Sequence, residues 1–212
     1  MSRAVKGYGI MGGTFNPIHF GHLVTAEEAR VQFDLDQVIF MPTGLPPHKD
    51  DQIILPAEAR YLMAVIATAS NPRFTVSRHE IDQPGLSYTI DTVQAMRAQR
   101  PGVDVYFITG ADAILEILTW KEPHILAEYC SFIAATRPGY ELSRFEEIRR
   151  QLEREGRRYP EVHLMEVPAL AISSTDIRAR LKEGRSIRYL LPDAVLNFVL
   201  KNRFYLPEEL PG

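Results

Sequence analysis

Gly12-Gly13-Thr14-Phe15-Asn16-Pro17-Ile18-His19-Phe20-Gly21-His22 decides how this chain reads, because it joins an apolar strand to a helix through glycines and sets two imidazoles three residues apart. Upstream, Val5 to Met11 is short and apolar, which predicts a buried parallel strand; downstream, Leu23, Ala26, Ala29 and Arg30 recur at helical spacing. Glycines let a backbone approach an anion closely. The first N–H groups of the following helix lack partners within it and carry the positive end of its dipole, so a phosphate placed there gains hydrogen bonds and field together. His19 falls just before that helix and His22 in its first turn, where they share a face and can both donate to the same charged oxygens. No Gly-Lys-Ser/Thr follows, so the stretch is not a Walker loop, and it is not the Gly-x-Gly-x-x-Gly of a dinucleotide site. The histidines do not read as metal ligands either, since Cys130 is the chain's one thiol and no His-Glu-x-x-His helix is present.

A chain of 212 residues, 45% hydrophobic and 24% charged, suits one globular domain spanning 1–212 around a single core. Its net charge of -3 and pI of about 6.1 argue against a nucleic-acid partner and require any anion site to be local. One cysteine cannot form an internal disulfide, the opening Met-Ser-Arg-Ala-Val-Lys-Gly lacks a signal peptide's apolar core, and no segment approaches membrane-spanning length. A cytoplasmic protein without a membrane partner is expected, with Cys130 as a small buried apolar residue.

Along the chain, Gln37 to Met41 reads as a second buried strand running into the proline-rich loop Pro42-Thr43-Gly44-Leu45-Pro46-Pro47-His48-Lys49-Asp50-Asp51. Ala57 to Ser70 is helical, with Leu62, Val65, Ile66 and Ala69 on one side. Phe74 to Val76 begins a strand that continues into the polar run Ser77 to Asp82, and Gly85 breaks the chain. A helix from about Thr89 to Arg100, a strand from Val103 to Thr109, helical stretches over Asp112 to Leu118 and Pro123 to Tyr129, and a strand from Cys130 to Ala135 follow. Ser143 to Arg158 is a charged helix with Glu146/Arg150 and Glu153/Arg157 four residues apart, a solvated face rather than a binding patch. Val162 to Val167 is a last strand, and Ser173 to Lys182 and Asp193 to Lys201 form a C-terminal helical segment. This alternation predicts an α/β fold, a Rossmann-like doubly wound parallel sheet with helices on both faces.

Ligands of such a sheet bind beyond the carboxyl ends of its strands, which selects the loops Gly12 to His22, Pro42 to Lys49, Gly110 to Asp112 and Thr136 to Gly139. Ile172-Ser173-Ser174-Thr175-Asp176-Ile177-Arg178 is a helix start with a capping-box pattern; its hydroxyls, free N–H groups and Arg178 would equally make a second anion site. Ser87-Tyr88-Thr89 and the sole tryptophan, Trp120, between Thr119 and Lys121, complete the candidates, although a lone Trp is more often ordinary packing.

Taken together, Gly9 to His19 with Gly21-His22, Pro46-Pro47-His48-Lys49, Ser87-Tyr88-Thr89, Thr109-Gly110-Ala111-Asp112 with Trp120, and Ile172-Ser173-Ser174-Thr175 with Ile177-Arg178 resemble the bacterial nicotinate mononucleotide adenylyltransferases, of the HxGH-type nucleotidyltransferase superfamily. The first and last motifs mark the superfamily, and the middle ones single out the pyridine-nucleotide branch. Asn16 stands where that family commonly has Asp or Asn, and Gln83-Pro84-Gly85-Leu86 departs modestly from its usual Arg-containing run. The resemblance implies transfer of AMP from ATP to nicotinate mononucleotide with Mg2+. It implies that His19, His22 and Arg178 serve the chemistry; that Gly12, Gly13, Thr14, Phe15, Gly110, Asp112, Ile172, Ser174, Thr175 and Arg178 meet ATP; and that His48, Lys49, Ser87, Tyr88, Thr89 and Trp120 meet the mononucleotide side. A phosphopantetheine-type adenylyltransferase and a noncatalytic nucleotide-binding regulator are the alternatives, and a homo-oligomer is left open.

Overall fold

The computed structural model describes residues 7–46, 54–136, 146–147, 149–150, 154, 160–168 and 171–206. Strands β1 (Gly7–Gly13), β2 (Gln37–Pro42), β3 (Phe74–Val76), β4 (Asp104–Gly110), β5 (Ser131–Thr136) and β6 (Val162–Glu166) form one sheet in the order β3-β2-β1-β4-β5-β6. Every neighbouring pair is parallel. The chain thus starts in the middle, winds outward through β2 and β3, crosses back to lay β4 beside β1, and winds out the other way. The strand order reverses between β1 and β4, so their carboxyl ends open the crevice where ligands of such sheets bind.

Two-residue periodicity sends alternate side chains to opposite faces. Tyr8 and Ile10 of β1, Ile39 and Met41 of β2, Val105 and Phe107 of β4, and Phe132 and Ala134 of β5 pack beneath α4 (Thr89–Gln99), α5 (Ala111–Leu115) and α6 (Pro123–Tyr129). Met11, Val38, Phe40, Ile108 and Ile133 point the other way, against α1 (Phe20–Gln32), α2 (Ala57–Thr68), α7 (Ser174–Lys182) and α8 (Asp193–Lys201). Near-continuous apolar strands are what a sheet covered on both faces requires, and each fully buried large side chain contributes roughly 1.5 to 3 kcal/mol.

Four elements differ from the sequence reading. The polar run Ser77 to Asp82 does not extend β3: His79–Asp82 is one helical turn, α3, and it places Glu80 in the interior. The side of α2 bearing Leu62 and Val65 is exposed, and its buried face is Arg60, Met63, Ala64, Ala67 and Thr68. The spacing was right and the phase was not, because the buried stripe contains a cation. The helical stretch near Asp112 to Leu118 is α5 followed by a 3-10 turn at Ile117–Thr119. Of the charged helix, Glu146 pairs with Arg149 at 2.9 Å, three residues on, rather than with Arg150, and Glu153 and Arg157 lie outside the described residues.

Candidate active site

The turn from β1 into α1 is held in shape from several directions. A Cβ on Gly12 would stand 2.6 Å from Phe107 Cζ, so only glycine fits beneath that ring. Phe15 is buried with φ at +49°, a left-handed conformation that costs a non-glycine residue about 1 kcal/mol. Its ring meets His22 edge-on at 5.0 Å. Asn16 is buried; its Oδ1 accepts the Leu55 N–H (3.3 Å) and the Tyr205 hydroxyl (2.6 Å), and its carbonyl accepts from Arg178 Nη1 (2.9 Å). The Ser174 hydroxyl donates to the Pro17 carbonyl at 2.8 Å. Burial pushes the Tyr205 phenol up, so it stays protonated as the donor that Asn16 needs.

His19 caps α1 and His22 is its third residue. The His19 backbone N–H donates to His22 Nδ1 at 3.2 Å, which leaves the proton of a neutral His22 ring on Nε2 by hydrogen-bond geometry. His19 is 6% exposed and its Nδ1 is sealed without a partner, so Nε2 is its one ring nitrogen able to meet a ligand. Burial lowers its pKa from 6.5 to about 4. The two rings stack with centroids 3.8 Å apart, an arrangement suited to neutral imidazoles, since two cations face to face would repel. The pair therefore presents Nε2 atoms, one from each ring, at a helix N-terminus.

Two cavities open at the strand ends. One, of about 440 Å3, is lined by Met11, His19, Gly21, His22, Thr25, Gly110, Asp112, Thr136 and Ile172. A Cβ on Gly110 would touch nothing within 4 Å, and its φ is -74°, so neither packing nor backbone demands glycine there; the space belongs to the cavity. The other, of about 930 Å3, is lined by Gly12, Gly13, Thr14, Thr43, Glu80, Ser87, Tyr88, Thr89, Phe107, Trp120 and Lys121. Thr109 borders both. Trp120 is half-buried, edge-on to Phe107 and Phe132 at 6.1 and 6.0 Å. A smaller depression around Arg97 and Tyr129 lies at the amino ends of β4 and β5, away from the crevice.

The structure brings His19, His22, Gly110, Asp112 and Ile172 to the first cavity and Ser87, Tyr88, Thr89 and Trp120 to the second. Gly12, Gly13 and Thr14, read with ATP, line the second, because β1 forms the partition between the two. Ser174, Thr175 and Arg178 line neither cavity; they stand beside the Asn16–Pro17 turn, with Arg178 Nη2 donating to Thr175 Oγ1 at 3.2 Å. Ser173 caps α7 by accepting the Asp176 N–H at 3.1 Å, as the capping pattern predicts. His48 and Lys49 lie outside the described residues.

Sequence reasoning missed Arg60, which is 1% exposed and donates to four backbone carbonyls: Leu55 (2.9 Å), Thr14 (2.9 Å), Thr43 (2.6 Å) and Gly44 (2.9 Å). It also missed Glu80, which accepts from Thr92 Oγ1 at 2.7 Å. A cation in phase with Met63, Ala64 and Ala67 was the available signal for the first; Glu80 offered none, being masked in a polar run.

A cytidylyltransferase-like family model matches residues 10–180. The chain is 60% identical over 200 residues to a protein of Moorella thermoacetica named as a nicotinate-nucleotide adenylyltransferase, covering 94% of this chain and 91% of that one. It is 50% identical to one of the same name from a Thermoanaerobacter species, covering 96% of each. Among solved structures, the Plasmodium falciparum nicotinic acid mononucleotide adenylyltransferase complexed with NaAD superposes with a TM-score of 0.75 at 19% identity, covering 94% of this chain and 97% of that one.

Proposed function

This chain belongs to the cytidylyltransferase-like family, in its nicotinate-nucleotide adenylyltransferase branch, and from that premise we propose how its residues divide the reaction. It transfers AMP from ATP to nicotinate mononucleotide, giving nicotinate adenine dinucleotide and pyrophosphate in NAD biosynthesis. The observation that carries the division of labour is the stacked histidine pair lining the smaller of two cavities that share Thr109. ATP occupies the cavity of Gly110 and Asp112, where the open space over Gly110 admits the ribose and adenine. The mononucleotide occupies the larger cavity beside Trp120.

The nucleophile is a phosphate monoester, whose second pKa of about 6 leaves it largely an oxyanion at neutral pH. No general base is needed, and no covalent enzyme intermediate forms. Catalysis is then alignment of that oxyanion with the alpha phosphorus, together with stabilisation of the charge that grows as the bond to pyrophosphate breaks. His19 and His22 are placed for this: their Nε2 atoms face the phosphates from one side, and His19, held neutral by burial, can donate without proton uptake. Arg178 holds the departing pyrophosphate while also fixing the Asn16 carbonyl. Ser174 spends its hydroxyl hydrogen on Pro17, so the groups of α7 left for the leaving phosphates are its first N–H groups.

Mg2+ fits as a companion of ATP. No group of three His, Cys, Asp or Glu side chains among the described residues is arranged to hold a metal; His19, His22 and Arg178 would hold the phosphates that the ion would accompany. The ion would supply further screening of phosphate charge. Nicotinate is preferred over its amide because N–H groups at the start of α4, around Thr89, lack helical partners and suit a carboxylate. The Trp120 N–H is not among them, being donated to the Ile117 carbonyl at 3.1 Å. We place the whole reaction in one domain, residues 1–212, working in the cytoplasm; among the described residues no helix is long and apolar enough to cross a membrane.

The test is pyrophosphate release with ATP and Mg2+ and each mononucleotide in turn. Turnover with nicotinate mononucleotide and a lower specificity constant for the amide is the expected result. Comparable constants would make the enzyme dual in specificity, and release with neither would remove the assignment.

A further inference from the structure

The wall of the larger cavity contains a buried carboxylate. Glu80 is 7% exposed, yet it lines the cavity together with Ser87, Tyr88 and Thr89. It accepts a hydrogen bond from Thr92 Oγ1, in the first turn of α4, at 2.7 Å, and Ser87 and Gly44 are close enough to favour its charged form. The Gly44 N–H also points at Ser87 Oγ, 3.2 Å away. Gly44 must be glycine, because a Cβ there would collide with the Glu80 carbonyl. The other side of the Gly44 peptide is equally fixed: its carbonyl accepts from Arg60, whose remaining donors reach Thr14, Thr43 and Leu55. Charge and hydrogen bonding thus run from the phosphate-side turn at Thr14 through Arg60 and Gly44 to Glu80 and the start of α4.

A carboxylate in a pocket meant for an anionic mononucleotide looks like a misplaced charge. Its surroundings resolve this. Burial raises the Glu80 pKa, and Thr92, Ser87, the Arg60 guanidinium and Gly44 work against that rise, so the carboxyl group is engaged by the protein and not by the ligand. The same donors are the pieces that must be held still if Thr89 and the first N–H groups of α4 are to meet a pyridine carboxylate.

We infer that Glu80, backed by Arg60, is a positioning residue for the mononucleotide: it fixes Ser87, the start of α4 and the Gly44 peptide as one rigid wall. The inference rests on the assignment of this cavity to the mononucleotide. Arg60 extends the same grip to Thr14, which ties that wall to the turn carrying the histidines.

Thr92 gives the cleanest test, since it is 1% exposed and lines neither cavity, so its hydroxyl acts through Glu80 and, more weakly, through the Tyr88 carbonyl 3.3 Å away, and Glu80→Gln tells the two routes apart. Thr92→Val removes the hydroxyl at nearly constant volume, and Thr92→Ser restores it. Thr92→Val should raise the KM for the mononucleotide about tenfold, the change that losing one hydrogen bond to a charged group brings, and leave the KM for ATP within a factor of about two. Thr92→Ser should stay near wild type. Glu80→Gln should show the same split, because its amide turns a donor towards donors. KM values for both substrates rising together, or a lowered melting temperature with unchanged KM values, would make the cluster merely structural and overturn the inference. Titrating Trp120 emission with the mononucleotide separates the two levels. Silence in the wild type would remove the cavity assignment and this inference with it, whereas quenching with the same Kd in wild type and Thr92→Val would remove the inference alone.

Discussion

The cavity beside His19 and His22 takes its ring nitrogens from a single turn of chain, whereas the cavity beside Trp120 collects its polar groups from Thr43, Glu80, Ser87 to Thr89 and Lys121. The first handles growing charge, and a helix N-terminus with its cap supplies that locally. The second must recognise a shape, and recognition needs walls from several elements. Local construction is cheap in chain entropy; the assembled wall needs long-range restraint, which Arg60 and Glu80 provide through contacts spanning up to 46 residues. The difference teaches where each kind of damage should show. Changes on the histidine side should fall on turnover, and changes on the tryptophan side on the affinity of one substrate.

The sharpest break of that division would come from the histidines. His22→Ala, and separately His19→Ala, should lower kcat on the order of a hundred- to a thousandfold, as losing one preorganised donor does, with a much smaller change in the mononucleotide KM. Steady-state kinetics on the folded variants decides it; either variant keeping more than roughly a third of wild-type turnover would strip that ring of its role. Arg178→Ala comes next. It should weaken ATP and pyrophosphate binding by roughly 1.5 to 3 kcal/mol if a charged hydrogen bond to phosphate is lost. Calorimetry showing unchanged ATP affinity beside a lowered melting temperature would leave Arg178 only as the clamp on the Asn16 carbonyl.

On the other side, Trp120→Ala should raise the mononucleotide KM about tenfold, since an aromatic–cation contact with the pyridinium contributes about 0.5 to 2 kcal/mol. ATP affinity should hardly move. Because Trp120 also packs edge-on against Phe107 and Phe132, part of the effect will be a loss of stability. A variant that is only less stable, with no substrate-specific defect, would assign the ring to the core.

The smallest effect concerns acid. The folded protein holds His19 at a pKa of about 4, below its ordinary 6.5, so as pH falls the unfolded chain takes up that proton first. The ring's contribution to stability is complete above 6.5, declines from there to about 4, and loses nothing further below. At pH 5.5 the loss amounts to about 1 kcal/mol, or about 3 °C in Tm for a chain of this size. Melting curves of wild type and His19→Gln across that range should converge by this amount. Parallel curves would mean the ring is not held neutral.

The same contrast governs what could be read from the residues alone. The sheet was legible because its central strands β1, β2 and β4 are largely apolar runs closed by glycine or proline, and the histidine turn was legible because its parts are contiguous. Ser87 to Thr89 and Trp120 stood out as candidates whose role came from resemblance, and the structure brings them to one cavity. Arg60 was hidden because periodicity assigns the buried stripe to apolar residues. On α2 that rule chose Leu62 and Val65, while the guanidinium was drawn inward by carbonyls of two loops that only the folded chain brings together. Glu80 was hidden for a related reason. A polar run beside a strand reads as a solvated extension, and nothing local reveals the Thr92 hydroxyl, twelve residues on, that meets that carboxylate.

The bond from the Tyr205 hydroxyl to Asn16 joins residues 189 positions apart. During synthesis, then, the phosphate-handling turn is made among the first residues and acquires one of its restraints among the last. A nascent chain can form β1, α1 and β2 while still on the ribosome, but the Asn16 side-chain oxygen gains a second donor, after the Leu55 N–H, when Tyr205 emerges. A chain clipped by a protease anywhere before that residue loses that donor again. The phosphate-handling turn thus receives its last restraint when translation passes residue 205.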